Sequence, residues 1–115
     1  MSDIKRIEPG ARMSQAVVHN GIVYLAGQVA EGDGVRAQTT AVLAQIDRLL
    51  AAAGSSKARI LTAQVWLADI AGFTEMNAAW ESWVDTSNPP ARATGEVKLA
   101  APQFHVEIIV TAAQG

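Results

Sequence analysis

Two residues draw attention for the chemistry their types permit. Arg92 follows Pro89 and Pro90 in NPPARATGEV and opens a β-rich run. A guanidinium on a rigid approach offers two parallel N–H donors to a carboxylate, a geometry that a lysine ammonium does not match. Glu107 interrupts FHVEIIV, the most apolar run in the chain. A carboxylate in such a strand is costly to bury unless it is paired or wet, so it borders a polar cleft or completes a structural ion pair. Alternation puts Arg92, Thr94, Glu96 and Lys98 on one face of the first strand. In the second it puts His105, Glu107, Ile109 and Thr111 on the face opposite Val106, Ile108 and Val110. The plainer alternative for Arg92 is a surface arginine at a strand start.

Weaker candidates surround this pair. Gly27, between Ala26 and Gln28, would let a ligand approach a strand backbone closely. Asn77 interrupts an aromatic stripe and is either an amide satisfied by backbone or a ligand-facing group. His19 reads as a turn residue and His105 as a strand residue, with no second histidine at ligand spacing. Trp66, Trp80 and Trp83 read as core or interface. Ser14, Ser55 and Ser56 lie in no nucleophile-elbow pattern.

The elements that must position these residues follow from periodicity. SQAVVH (14–19) and GIVYLAGQV (21–29) are β-rich runs around Asn20-Gly21, a two-residue hairpin turn. Both faces of the second run are largely apolar, which predicts a strand covered on both sides. From about Gln38 to Ala53, Val42, Ile46, Leu49, Leu50 and Ala53 recur at helical spacing, with Gly54 as the C-terminal cap. Residues 59–67 form a strand, with Ile60, Thr62, Gln64 and Trp66 on one face. Asp69 is the expected N-cap of a second helix carrying Phe73, Met76, Asn77, Trp80 and Val84 on one stripe, ended by Asn88-Pro89-Pro90. Ala91–Leu99 and Phe104–Thr111 complete the order ββαβαββ, with a possible short first strand at Ile4–Ile7. The expected class is α+β, a mixed sheet with two helices packed on one face. If AAPQ closes a four-residue hairpin, Leu99 pairs with Phe104 and Glu96 lies opposite Glu107. Arg92 is then about 13 Å along the strand, so the pair would border one cavity or meet between subunits.

Composition sets outer limits. At 115 residues the chain is expected to be one domain, 1–115. Half of it is apolar and 17% is charged, which places it among globular chains. The net charge is -2 and no basic block occurs, which weighs against a nucleic-acid partner. There are no cysteines and only two histidines, so no metal site is expected. The N-terminal run lacks the apolar core of a signal peptide, and no stretch approaches the length of a membrane span; the expected location is cytoplasmic. A small, apolar chain often covers part of its surface with copies of itself.

Taken in order, SQAVVHNGIVYLAGQV, LAQIDRLLAAAG, FTEMNAAWESWV, PPARAT and HVEI resemble the reactive-intermediate deaminase family (RidA, also called YjgF), in a form most similar to its YoaB-like branch. The resemblance runs from about Arg12 to Ala112, and PPAR with the downstream glutamate is its most specific part. It implies a chorismate-mutase-like fold assembled as a homotrimer with clefts between subunits. It further implies hydrolysis of 2-imino or 2-enamino acids to 2-keto acids and ammonia, without cofactor or metal. Carried over, Arg92 matches the arginine that holds the substrate carboxylate and Glu107 the glutamate near the attacking water. Gly27 matches a pocket-lining glycine and Asn77 the asparagine of the second helix. Three positions depart from the deaminase pattern: Met13 replaces a common tyrosine, Thr94 a common cysteine, and Ala26 a frequent serine. The rival implication is a non-catalytic trimer that binds small carboxylates in a regulatory or chaperone-like role. A ribonuclease or translation-inhibitor role has also been attached to the family; the acidic balance weighs against it here.

Overall fold

The structure is a computed structural model that describes residues 3–115. Its strands are β1 (Lys5–Pro9), β2 (Ser14–His19), β3 (Ile22–Leu25), β4 (Ile60–Leu67), β5 (Ala91–Glu96) and β6 (Val106–Ala113). The helices are α1 (Val35–Ala52) and α2 (Phe73–Trp83). The strands form one sheet in the order β1-β2-β3-β6-β4-β5. The possible first strand is thus present, one residue later than expected.

The local reasons are those of the side chains. Asn20 and Gly21, at φ 51° and 77°, turn β2 into β3 with positive dihedrals that asparagine and glycine tolerate. The helix α1 begins at Val35, three residues before the periodic stripe, because Gly34 at φ 98° swings the chain into its first turn. Its C-terminus closes as expected: Gly54 takes φ 77°, and the Ser55 amide donates back to the Leu50 carbonyl at 2.8 Å. Val42, Leu43, Ile46, Leu49 and Leu50 of α1 and Met76 and Trp80 of α2 pack on Val23, Val65, Leu67, Val106 and Ile108 of the sheet in one core. Trp83 packs against that core from its rim, whereas Trp66 is only half-buried.

Four expectations need correction. First, β5 and β6 do not form a hairpin: β5 runs parallel to β4, Ala91 beside Thr62 through Glu96 beside Leu67, and β4 separates it from β6. The physical reason lies in α2, a crossover that brings the chain back parallel to the strand it left. It also lies in β6, whose Val106, Ile108 and Val110 are fully buried and gain most from a central place, while the more polar ARATGE run takes the edge. Glu96 therefore does not face Glu107; its carboxylate accepts the Ile70 amide at 3.0 Å. Second, Asp69 caps the short 3-10 turn Ile70–Gly72, accepting from the Ala71 amide at 2.9 Å, and α2 starts only after it. Third, Ile60 leaves the Thr62–Gln64–Trp66 face through a register shift against β6 and is buried in the core. Fourth, β3 is covered on one side only within the chain, since Tyr24 is 47% exposed.

Alternation and pairing give the sheet two unlike faces. One carries Val23, Leu25, Ala63, Val65, Val106, Ile108 and Val110 beneath the helices. The other carries Tyr24, Thr62, Gln64, Trp66, Glu107, Ile109 and Thr111, with no helix over it. Among the described residues no helix is long and apolar enough to cross a membrane.

Candidate functional site

Arg92 takes part in the edge strand β5, paired with Ala63 of β4, and its side chain lies on the helix-covered face. Pro89 and Pro90 deliver it there after α2 has ended. Its guanidinium carbon stands 5.1 Å from the centroid of Trp80 and 6.0 Å from that of Phe73, and Nη1 lies 3.8 Å from Met76 Sδ. These three residues belong to the single stripe that sequence periodicity gives the second helix; their part as the seat of the arginine is not visible in that pattern. Desolvation by this apolar seat lowers the arginine's pKa, partly offset by the negative charge of Glu81. Two other arginines have carboxylate partners, Arg36 with Glu75 at 2.8 Å and Arg48 with Glu8. Among the described residues, Arg92 forms no such salt bridge.

Asn77 sits on the same stripe of α2, half-buried beside Met76. Thr94 is two residues beyond Arg92 on the same side of β5, and its hydroxyl oxygen is buried without a hydrogen-bond partner. Two hollows of about 280 and 220 Å³ follow this strand, one lined by Arg92 with Ala91 and Ala93, the other by Thr94 with Gly95 and Val97. A larger one of about 390 Å³ lies beyond the strand, around Lys98, Leu99 and Phe104, and contains none of the candidate residues.

Glu107 belongs to a different environment. It pairs with Trp66 across the central strands and faces away from the helices. Burial raises its pKa above that of an ordinary carboxylate. Its seat is backbone. Tyr24 pairs with Thr111 and Gln28 with Ile108, so three residues on one side oppose two on the other, and Gly27 lies in that bulge. A Cβ at Gly27 would overlap Glu107 Oε2 and stand 2.9 Å from its carboxyl carbon. Only glycine leaves room for the carboxylate in this pose.

Arg92 and Glu107 therefore do not meet within one chain. Glu107 lies opposite Trp66 and Arg92 opposite Ala63, three residues along and one strand further over. Two strand spacings and three residues of rise separate their backbones by roughly 14 Å. They also project from opposite faces of the sheet. Among the described residues no group of three or more His, Asp or Glu side chains is arranged to hold a metal ion.

The comparisons with known proteins agree with this architecture. Residues 3–114 match the family described as endoribonuclease L-PSP. A RutC family protein of Haemophilus influenzae is 49% identical over 112 residues, covering 95% of this chain and 97% of that protein. The RutC family protein YoaB of Escherichia coli is 41% identical over 111 residues, covering 96% and 97%. The crystal structure of a YjgF family member from Neisseria meningitidis has a TM-score of 0.97 at 45% identity, covering 98% of this chain and 96% of that one. The chain belongs to the RidA/YjgF family. The sequence resemblance and the α+β fold are thus one finding seen twice.

Within this RidA/YjgF chain the departures from the deaminase pattern fall on both halves of the candidate site. Thr94 stands in the Arg92 half. Met13, 55% exposed just before β2, is near the Gly27 half, because the Ala26 amide donates to the Gln15 carbonyl at 2.9 Å. Ala26 itself adjoins Gly27.

Proposed function

We propose that the protein is a cofactor-independent deaminase that hydrolyses small 2-imino or 2-enamino acids to 2-keto acids and ammonia. We take residues 1–115 as a single RidA-like domain acting as a cytoplasmic homotrimer. The observation that carries the reading is Arg92: a partly desolvated guanidinium, seated on aromatic rings and, among the described residues, bonded to no carboxylate. Such a group is poised for a carboxylate supplied by a ligand.

The chemistry follows from the two seats. Arg92 holds the substrate carboxylate, with Thr94 and Asn77 lining its side of the cleft and Met13 and Gly27 the other. Glu107, held against Gly27, accepts a proton from water as the water oxygen bonds to C2 of the imine. The electron pair of the C=N bond moves to nitrogen, which takes up a proton and gives a carbinolamine. Proton transfer through Glu107 then allows the C–N bond to break, ammonia to leave and the C2 hydroxyl to become the keto oxygen. The overall balance is imino acid plus water to keto acid plus ammonia. An enamine enters after tautomerising to the imine.

Since the two residues occupy opposite faces of the sheet, the reading requires a neighbouring copy to bring its Glu107 and Gly27 to this copy's Arg92. The uncovered sheet face, with Tyr24, Trp66 and Ile109, supports that assembly.

The test is ammonia release from freshly generated 2-iminopropanoate and 2-iminobutanoate. Acceleration by the wild type and its loss in Arg92→Ala are expected. A folded assembly that binds a 2-keto acid through Arg92 without accelerating release would favour the second reading, a trimeric binder of small carboxylates with a regulatory or chaperone-like role. The unpartnered guanidinium serves that reading equally; Glu107 separates the two.

A further inference from the structure

We infer that Gln38 is a positioning residue for Glu107, acting through the backbone on either side of the Gly27 bulge. The claim rests on the deaminase reading for its catalytic consequence and on geometry for its physical content. Gln38 lies in the first turns of α1, is 1% exposed, and is one of few polar residues buried in the core. Its amide makes three hydrogen bonds. Nε2 donates to the Gly32 carbonyl at 3.2 Å and to the Gln103 carbonyl at 2.9 Å, while Oε1 accepts the His105 amide at 2.8 Å.

These bonds tie together two segments that meet at the candidate site. Gly32 ends the stretch that leaves Gly27, and a Cβ there would be 3.3 Å from the Gln38 backbone nitrogen and 3.4 Å from its Cγ, so this segment lies directly on the glutamine. Gln103 and His105 lead into β6, and Glu107 follows two residues later. Between the anchors, Gln28 and Ile108 exchange backbone hydrogen bonds of 2.9 and 3.1 Å, the bridge that sets Gly27 against Glu107. A single buried side chain thus holds the entry to β6 and the exit from the bulge at a fixed separation. An apolar replacement leaves the Gln103 carbonyl and the His105 amide unpaired and the Gly32 carbonyl with the Gly34 amide alone, which loosens the two segments from each other or admits water between them. Arg92, on the edge strand and seated by α2, has no part in this network.

The test compares Gln38→Met, similar in length and apolar, with Leu50→Ala, a cavity on the same helix away from the bridge. In Gln38→Met we expect kcat for imine hydrolysis to fall about 10- to 100-fold, the scale of a misplacement near 1 Å, with KM changed less than about twofold. Amide hydrogen exchange at Gln28 and Ile108 should quicken at least about tenfold relative to the β4 amides. Leu50→Ala should lower Tm while leaving kcat below the transition and those two amides unchanged. Unaltered exchange at Gln28 and Ile108 in Gln38→Met overturns the inference. An equal loss of kcat in Leu50→Ala also overturns it. If Gln38→Met does not fold, Gln38→Glu keeps the acceptor for His105 and gives up both donors, and it is judged by the same two amides. A wild type that releases no ammonia defeats the deaminase reading, whereas the exchange measurement still decides whether Gln38 sets the bridge.

Discussion

The two halves of the candidate site are built on opposite plans. Arg92 sits on the edge of the sheet and is held by side chains, the rings of Phe73 and Trp80 and the sulfur of Met76. Glu107 sits on β6, one of the two central strands, against backbone in the space left by a missing Cβ at Gly27. A side chain resting on aromatic faces can shift by rotamer changes as a ligand arrives. A carboxylate pressed on a bulge between two strands has far less room. On the proposed deaminase reading, binding and selectivity fall to the arginine half and the chemical step to the glutamate half.

The comparison can be broken most sharply at Glu107. Glu107→Gln keeps the shape and removes the proton acceptor, so kcat should fall by about 10²- to 10⁴-fold while a 2-keto acid still binds with wild-type affinity. Steady-state ammonia release paired with calorimetric titration checks it; a parallel loss of binding would mean that the halves are not separate. At Arg92 the effect should appear chiefly in affinity. Removing one partner of a desolvated charge pair costs about 2–5 kcal/mol, so Arg92→Ala should lower kcat/KM by roughly 30- to a few thousandfold, mostly through KM. Gly27→Ala comes next. The added methyl displaces the carboxylate without touching Arg92, and kcat should drop about 10- to 100-fold with ligand affinity retained.

The smallest effect is on stability. Burial raises the pKa of Glu107 in the folded state above its unfolded value, so the fold favours the protonated form. The stability this group contributes is complete below the ordinary carboxylate pKa and is lost as pH rises through the raised one. Glu107→Gln, which never charges, should match the wild type in acid and exceed its Tm at neutral pH. Melting curves from pH 4 to 8 check the sign.

The sequence made part of this legible. Strand alternation, the Asn20-Gly21 turn and the α1 stripe are local signals, and each appears in the fold near its expected place. Arg92 and Glu107 were visible as charged residues where an apolar strand would be simplest. Their placement on opposite faces was not, because it depends on β6 inserting between β3 and β4, a choice made by the crossover through α2 and by the burial of Val106, Ile108 and Val110. A turn-like AAPQ segment suggested the wrong neighbour. Gln38 was legible only as a polar residue heading an apolar stripe, since two of its three backbone partners lie 65 and 67 residues away.

The central claim is that the arginine of one copy and the glutamate of another form a single site. Its most direct test is to co-express Arg92→Ala and Glu107→Gln, each strongly impaired alone at substrate concentrations well below KM, and to measure imine hydrolysis under those conditions by the mixed assembly isolated with two affinity tags. The account predicts restored activity, because wherever a Glu107→Gln copy presents its intact Arg92 to the intact Glu107 of an Arg92→Ala copy, one complete cleft forms. A verified mixed assembly that stays as inactive as its parents would contradict it.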